Sequence, residues 1–204
     1  VKIDLHVHTR ERSACGVDGE EEIIRAAIAY GLDGLVFTDH DRLIEPKRLR
    51  ELNRKYVPFR TFGGIEMSLV GGEHVLVLGV DDPALESVGW TYRNLFAFVR
   101  ERGGYLAIAH PFRFHDTINT QVALEHYPPD AIELRSRNTS THNEPKIRAL
   151  IERLNLWPLC NSDAHKAKHV GDYYNQLNRV PGNEAELVEI LTAGDYTCHS
   201  MEHL

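Results

Sequence analysis

The chain has 204 residues and a formal net charge of −7, enough length to bury a substantial core in one large domain or two small ones. Excess acid speaks against a broad, sequence-independent nucleic-acid surface, which needs Lys and Arg to neutralise phosphates, while leaving room for a local basic pocket. No apolar run is long enough to span a bilayer and no leader-like segment opens the chain, so a cytoplasmic protein is expected.

The opening "VKIDLHVHT" predicts a first strand. With a side-chain period of two, His6 and His8 share a face, to which Asp4 is also assigned, while Ile3, Leu5 and Val7 form the apolar face. Two adjacent imidazoles suit a metal ion, or the ordinary hydrogen bonds of a partly solvated strand. A helix over "EEEIIRAAIAYGL", with Ile23, Ile24, Ala27 and Ile28 before Gly31, leads to a strand at "GLVFTDH". Next come a helix from the Glu-Pro start of "EPKRLRELNRKY" and a strand at "TFGGIEMS". The link "LVGGE" is too short for a crossover helix, so "HVLVLGV" is expected to run antiparallel to its predecessor. A helix over "TYRNLFAFVRERGG", strands at "YLAIAH" and "AIELRS", a helix over "EPKIRALIERLN" and a strand at "WPLCNSDAH" follow. "GDYYNQLNRV" reads as a further strand or irregular edge, before a helix over "NEAELVEILTAG".

Strands alternating with helices predict a parallel sheet closed or wound around a core. Without repeats or a linker-like composition shift, a single domain over residues 1–204 is expected. Seven main strands in a chain shorter than a typical eight-fold barrel suggest an α/β protein with a reduced or distorted (β/α) barrel. The three cysteines, Cys15, Cys160 and Cys198, are odd in number and widely spaced, so reduced thiols are expected.

In such folds the site gathers at the C-terminal strand ends. Here those ends carry His6, His8, Asp39, His40, Glu66, His110, Asp163 and His165, and an antiparallel return places His74 beside the tip of its predecessor. Each residue alone has an ordinary explanation as a cap, a surface carboxylate or a turn histidine. Eight independent explanations at one rim are much harder to sustain. Mixed imidazole and carboxylate ligands suit divalent cations, which lower the pKa of a shared water and clamp phosphoryl oxygens in an in-line displacement.

In this order and at these intervals, "DLHVHT", "FTDHD", "GGIEMS", "HVLVLG", "AIAHPFR" and "NSDAH" resemble the polymerase and histidinol phosphatase (PHP) superfamily of metal-dependent phosphoesterases, over nearly the whole chain. The resemblance implies a single PHP domain, a distorted TIM-like (β/α)7 barrel with two or three divalent ions (Zn, Mn or Fe, with Mg as a further option). One ion would be held by His6, His8, Glu66 and Asp163; a second by Glu66, His74 and His110, with Glu66 bridging; a third by His40, His165 and one more ligand. Within "RERSACGVDGEEE" that ligand could be Cys15, which would favour zinc, or Asp18, which would favour Mn, Fe or Mg, and Glu11 stays open. A hydroxide bridging the ions would be the nucleophile, with Glu66 and Asp163 central to the chemistry. His40 or His165 would act as general acid if the third ion is absent. Asp4 and Asp39 are candidates for orienting the ligand imidazoles.

Among the arginines, Arg113 and Arg135 are the candidate phosphate contacts, with His115 as a neighbour, while Arg10, Arg12 and Lys166 read as solvated. The expected activity is hydrolysis of a small phosphorylated metabolite or nucleotide. The alternatives are a nuclease acting on DNA or RNA ends, disfavoured by the acidic charge and the lack of a basic, aromatic stacking surface, a non-catalytic metal-binding PHP module, and metal-dependent amide hydrolysis. The C-terminal "HSMEHL" suggests no role, and no membrane partner is expected.

Overall fold

The structure is a computed structural model describing residues 1–114, 116–118 and 121–201, with only the backbone of residues 121–123. His115 and His203 lie outside the described residues. Seven strands lead the chain: β1 (Lys2–Val7), β2 (Gly34–Phe37), β3 (Arg60–Ser68), β4 (His74–Leu78), β5 (Tyr105–Ile108), β6 (Ala131–Arg135) and β7 (Trp157–Cys160). A final pair, β8 (Tyr173–Leu177) and β9 (Tyr196–Ser200), completes one sheet of order β7-β6-β5-β4-β3-β2-β1-β8-β9. Pairing is parallel for β1–β2, β2–β3, β5–β6 and β6–β7. β4 runs antiparallel to both neighbours, with Ser68 opposite His74, as the short "LVGGE" link requires.

Helices α1 (Glu20–Ala29), α2 (Pro46–Lys55), α3 (Tyr92–Glu101), α4 (Gln121–His126), α5 (Glu144–Leu154) and α6 (Glu184–Thr192) accompany the sheet. All but α4 fall on stretches read as helical from the sequence, α2 from its Glu-Pro start. Ile23, Ile24 and Ala27 of α1 and Leu52 of α2 pack with Val7, Leu35 and Phe37, while Leu95 and Val99 of α3 and Ile147 of α5 pack with Val77, Ile108 and Ile132. Another cluster joins Ile3 and Leu5 to Leu76, Leu78, Tyr105 and Leu159, and α6 contributes Leu187, Ile190 and Leu191 to it. The architecture is a nearly closed, distorted (β/α)7 barrel carrying an additional antiparallel pair.

β1 departs from simple alternation. Its register with β2 shifts between Asp4 and Val7, and the His6 N–H turns to the Asp4 carboxylate. This bulge moves the later side chains to the other face. Ile3 and Leu5 pack in one cluster and Val7 in another, so Asp4 does not accompany His6 and His8. Instead it accepts the N–H groups of Ser162 (3.0 Å) and Gly171 (3.1 Å). Burial raises its pKa to about 6 against the lowering effect of those bonds.

The barrel closes at the rim, where Val7 bridges Ala164 and the His8 N–H donates to the Ala164 carbonyl at 2.9 Å. Lower down, Asn175 of β8 replaces the missing backbone ladder to β7. Its Oδ1 accepts from the Cys160 N–H (3.1 Å), and its Nδ2 donates to the Cys160 carbonyl (2.9 Å) and to Asn161 Oδ1 (2.8 Å). Asn175→Ala leaves buried backbone groups unpaired and should lower stability by about 2–4 kcal/mol. Urea unfolding followed by circular dichroism checks this, with wild-type stability as the contrary result.

Candidate metal centre

Strand direction delivers the ionisable side chains to one rim. His6 and His8 come from the end of β1, His40 follows β2, Glu66 lies in β3, His74 opens β4, His110 follows β5, and Asp163 and His165 follow β7. Two of these residues take left-handed backbone, His110 (φ 24°) and Asp163 (φ 51°), which side chains other than glycine rarely adopt. The His110 conformation is held by its N–H donating to Glu133 at 2.7 Å.

Glu66 is fully buried at the centre. Its Oε1 lies 2.9 Å from His74 Nδ1 and 2.8 Å from His110 Nε2. Its Oε2 lies 3.2 Å from His6 Nε2, 3.1 Å from His8 Nε2 and 3.1 Å from His40 Nδ1. Across from it, Asp163 Oδ1 sits 3.4 Å from His6 Nε2 and 3.1 Å from His8 Nε2, and the two Nε2 atoms are 3.0 Å apart. These spacings match the edges of a tetrahedron whose centre is about 2 Å from each donor, the distance at which nitrogen and oxygen ligands hold zinc. Glu66 Oε2, Asp163 Oδ1 and His40 Nδ1 are buried without a hydrogen bond, a costly condition that a cation among them relieves. The donor set therefore fits a divalent ion.

Three overlapping groups could each hold one: His6, His8, Glu66 and Asp163; His40, Glu66 and His74; and His8, Cys15, His40 and His165. His110 joins the second through Glu66 Oε1. The His8 ring lies between those of His40 (4.5 Å) and His165 (4.3 Å). Cys15 reaches the rim because its loop folds back tightly: a side chain at Gly16 would meet the Thr9 carbonyl carbon at 2.4 Å. Asp18 stands apart from the three groups, accepting the Ala167 N–H at 2.7 Å. Glu11 likewise accepts the Glu20 N–H, at 3.1 Å.

The surrounding residues fix which ring nitrogen faces inward. His6 Nδ1 lies 2.8 Å from Glu133, and His8 Nδ1 lies 3.3 Å from the Ser13 hydroxyl, which donates to Asp39 at 2.7 Å. With their Nδ1 protons so engaged, both rings present an Nε2 lone pair to the cluster. Asp39 thus supports His8 through a hydroxyl, whereas Asp4 is bonded by Ser162, Gly171 and the His6 N–H and touches no ligand imidazole ring. Burial opposes charge on His6, yet Asp163, Glu133 and Glu66 together hold its pKa well above the usual value. Burial likewise works against Glu66 and Asp163, but neighbouring imidazoles, His6 foremost, hold both carboxyls below the ordinary range. His40 is pushed down to about 4, chiefly by burial, and His165 is lowered by burial and by His8. Burial raises the Cys15 thiol.

Of the arginines, Arg113 comes to the cluster, 3.7 Å from Asp163 Oδ2 and stacked over Phe114. Arg135 makes two hydrogen bonds to Glu144, at 3.1 and 3.2 Å. Arg12 is tied to Asp39 and Glu20, and Arg10 to Glu22. Two contributors escaped sequence reasoning. Glu133, fully buried on β6, serves His6, the His110 backbone and Asn161 Nδ2 (2.8 Å); its signal is a lone acid inside the apolar run "AIEL". Asn138 donates to Asp163 Oδ2 at 2.6 Å, and nothing in "RSRNTS" marks it.

Replacing Glu133 by Gln removes the charge behind His6, and metal affinity should fall 10–100-fold with the fold retained. Competition against a chromophoric chelator, alongside circular dichroism, measures it; unchanged affinity would contradict this assignment.

Residues 141–196 match the family model described as PHP-associated. Over 92 residues the chain is 35% identical to the phosphoribosyl 1,2-cyclic phosphate 1,2-diphosphodiesterase of Eggerthella lenta, covering 42% of this chain and 34% of that protein. It therefore spans about a third of the length of that relative. A two-domain Bacteroides vulgatus protein containing a predicted PHP-like metal-dependent phosphoesterase superposes with a TM-score of 0.72 at 17% identity, covering 98% of this chain and 64% of that one. The lesion-specific endonuclease PfuEndoQ of Pyrococcus furiosus superposes with a TM-score of 0.67 at 18% identity, covering 97% and 57% respectively. With its barrel and these matches, the chain has the PHP fold, and its residues 141–196 carry a PHP-associated segment.

Proposed function

We propose that the chain is a metal-dependent phosphoesterase acting on a small phosphorylated compound at the rim described above. The observation that carries this reading is the pair of adjoining ligand groups sharing Glu66: His6, His8 and Asp163 on one side, His74 and His110 on the other. When bound, divalent ions would supply an activated water and Lewis-acid stabilisation of phosphoryl oxygens. Glu66 and Asp163, the latter steadied by Asn138, would hold these ions together with the surrounding imidazoles. Arg113 supports recognition of the phosphate, its guanidinium standing beside Asp163 at the open side of the cluster. Arg135 carries less weight, since Glu144 already takes two of its donors. Cys15, His40 and His165 would complete a third site, where a thiolate favours zinc; Asp18, bonded to Ala167, supports that role less well. The names of the matched proteins agree with phosphate-ester chemistry, and a cyclic or open phosphodiester belongs in the substrate panel beside monoesters.

Phosphate release or ring opening from nucleotides and from sugar, aryl and cyclic phosphates, with Mn²⁺ or Zn²⁺ and with a chelator, tests the proposal. Chelator-sensitive turnover of one class is expected; silence across the panel would overturn it. Glu66→Gln should lose at least ~1,000-fold in kcat, in line with loss of preorganised charge at the reacting centre, while the fold persists. Arg113→Ala should raise KM about tenfold or more with a smaller effect on kcat.

A further inference from the structure

Helix α2, "PKRLRELNRK", lies outside the barrel between His40 and the start of β3. Its Lys47, Arg50 and Arg54 follow an i, i+3, i+7 spacing that sets them on one face over ~10 Å of helix axis. With Arg60 they line a surface cavity of about 440 Å³. Asn53 and Val57 complete the lining, and no carboxylate enters it.

Pairing elsewhere on the helix makes the row unusual. Arg48 is held by Glu20 and Lys55 by Glu21, each at 2.7 Å. Among the described residues, Lys47, Arg50, Arg54 and Arg60 have no ion pair, side-chain hydrogen bond or ring contact, and all four are exposed. A chain with 30 acids and 23 Lys and Arg thus gathers four cations without an ion pair around one cavity, although Arg50 and Arg60 also border neighbouring cavities that hold Asp81, Glu184 and Asp33. Such an arrangement repels itself and attracts polyanions. Asn53 anchors the face, bonding both backbone groups of Thr61 at 2.7 and 2.8 Å, so the row is carried on a braced helix.

From this we infer that the outer face of α2 is a backbone-binding exosite for single-stranded nucleic acid. An open, linear row of long cationic side chains matches a linear polyphosphate backbone, through charge and without base stacking, better than a compact anion, which calls for convergent buried donors. Val57, 73% exposed at the end of the row, offers unpaired bases an apolar contact that a duplex would hide. The lining has no aromatic ring and no free amide, so binding is sequence-independent.

Fluorescence anisotropy of labelled oligo-dT, with chelator present, tests this apart from any turnover at the rim. Binding should weaken as salt rises, with a log–log slope near −0.7 for each phosphate neutralised. R50E/R54E should cut affinity at least tenfold and flatten the slope by more than one unit, with R50Q/R54Q in between and melting temperatures unchanged. Both variants should hydrolyse any small phosphate ester as the wild type does. Oligo-dT affinity unaltered in both variants, or binding of inorganic polyphosphate without binding of oligo-dT, would overturn the exosite. Failure of the wild type to hydrolyse phosphate esters would count against the function proposed for the rim and would leave this binding result standing.

Discussion

One buried carboxylate organises this protein. Glu66 is surrounded by five imidazoles, those of His6, His8 and His40 at one oxygen and of His74 and His110 at the other. A lone anion inside a protein is costly, and uncharged imidazoles alone do not repay it. Asp163, Glu133 and Glu66 together hold the His6 pKa well above the usual value, so the interior of the cluster favours positive charge. The arrangement draws positive charge into a space lined by lone pairs, which is the electrostatic requirement of a cation site.

Several structural irregularities near the rim serve that convergence. The β1 bulge turns His6 and His8 inward while freeing Asp4 to tie β1 to Ser162 and Gly171. The reversed β4 puts His74 level with the end of β3. Left-handed backbone at His110 and Asp163 bends two strand exits toward the cluster, and bonds from Glu133 and Asn138 hold these residues. Closure differs between the two ends of the barrel, by backbone between His8 and Ala164 at the rim and by the Asn175 side chain below. The rim geometry therefore depends on a seam made partly of one amide.

Charge is distributed as unevenly as the polar contacts. Buried carboxylates such as Glu66, Glu133 and Asp163 lie inside the rim, whereas three cations of α2 and Arg60 at the start of β3, without an ion pair among the described residues, line one surface cavity outside the barrel. Net charge averages over both and describes neither. An acidic total disfavours a broad nucleic-acid surface, and it is compatible with a narrow basic row because screening confines each charge to its own neighbourhood.

Strand–helix alternation, the hairpin return and the strand tips that carry the clustered histidines and carboxylates were legible in the sequence, because each depends on local spacing: period two in strands, helical spacing between them, and ionisable side chains at or just past strand ends. "HVHT", "IEMS" and "NSDAH" carry their chemistry within a few residues. Tertiary structure alone decided the rest. Glu133 meets His6 across 127 positions and Asp4 meets Ser162 across 158, separations that no local pattern encodes. β9, formed by the polar "YTCHS", exists because β8 offers it a partner. Asp18 and Cys15 stood equal in a string of letters; the fold back of Gly16 onto Thr9 brings the thiol to the histidines, and a backbone N–H takes the carboxylate. Sequence determined which elements form and which side chains their ends carry, whereas long-range packing decided which of those side chains meet.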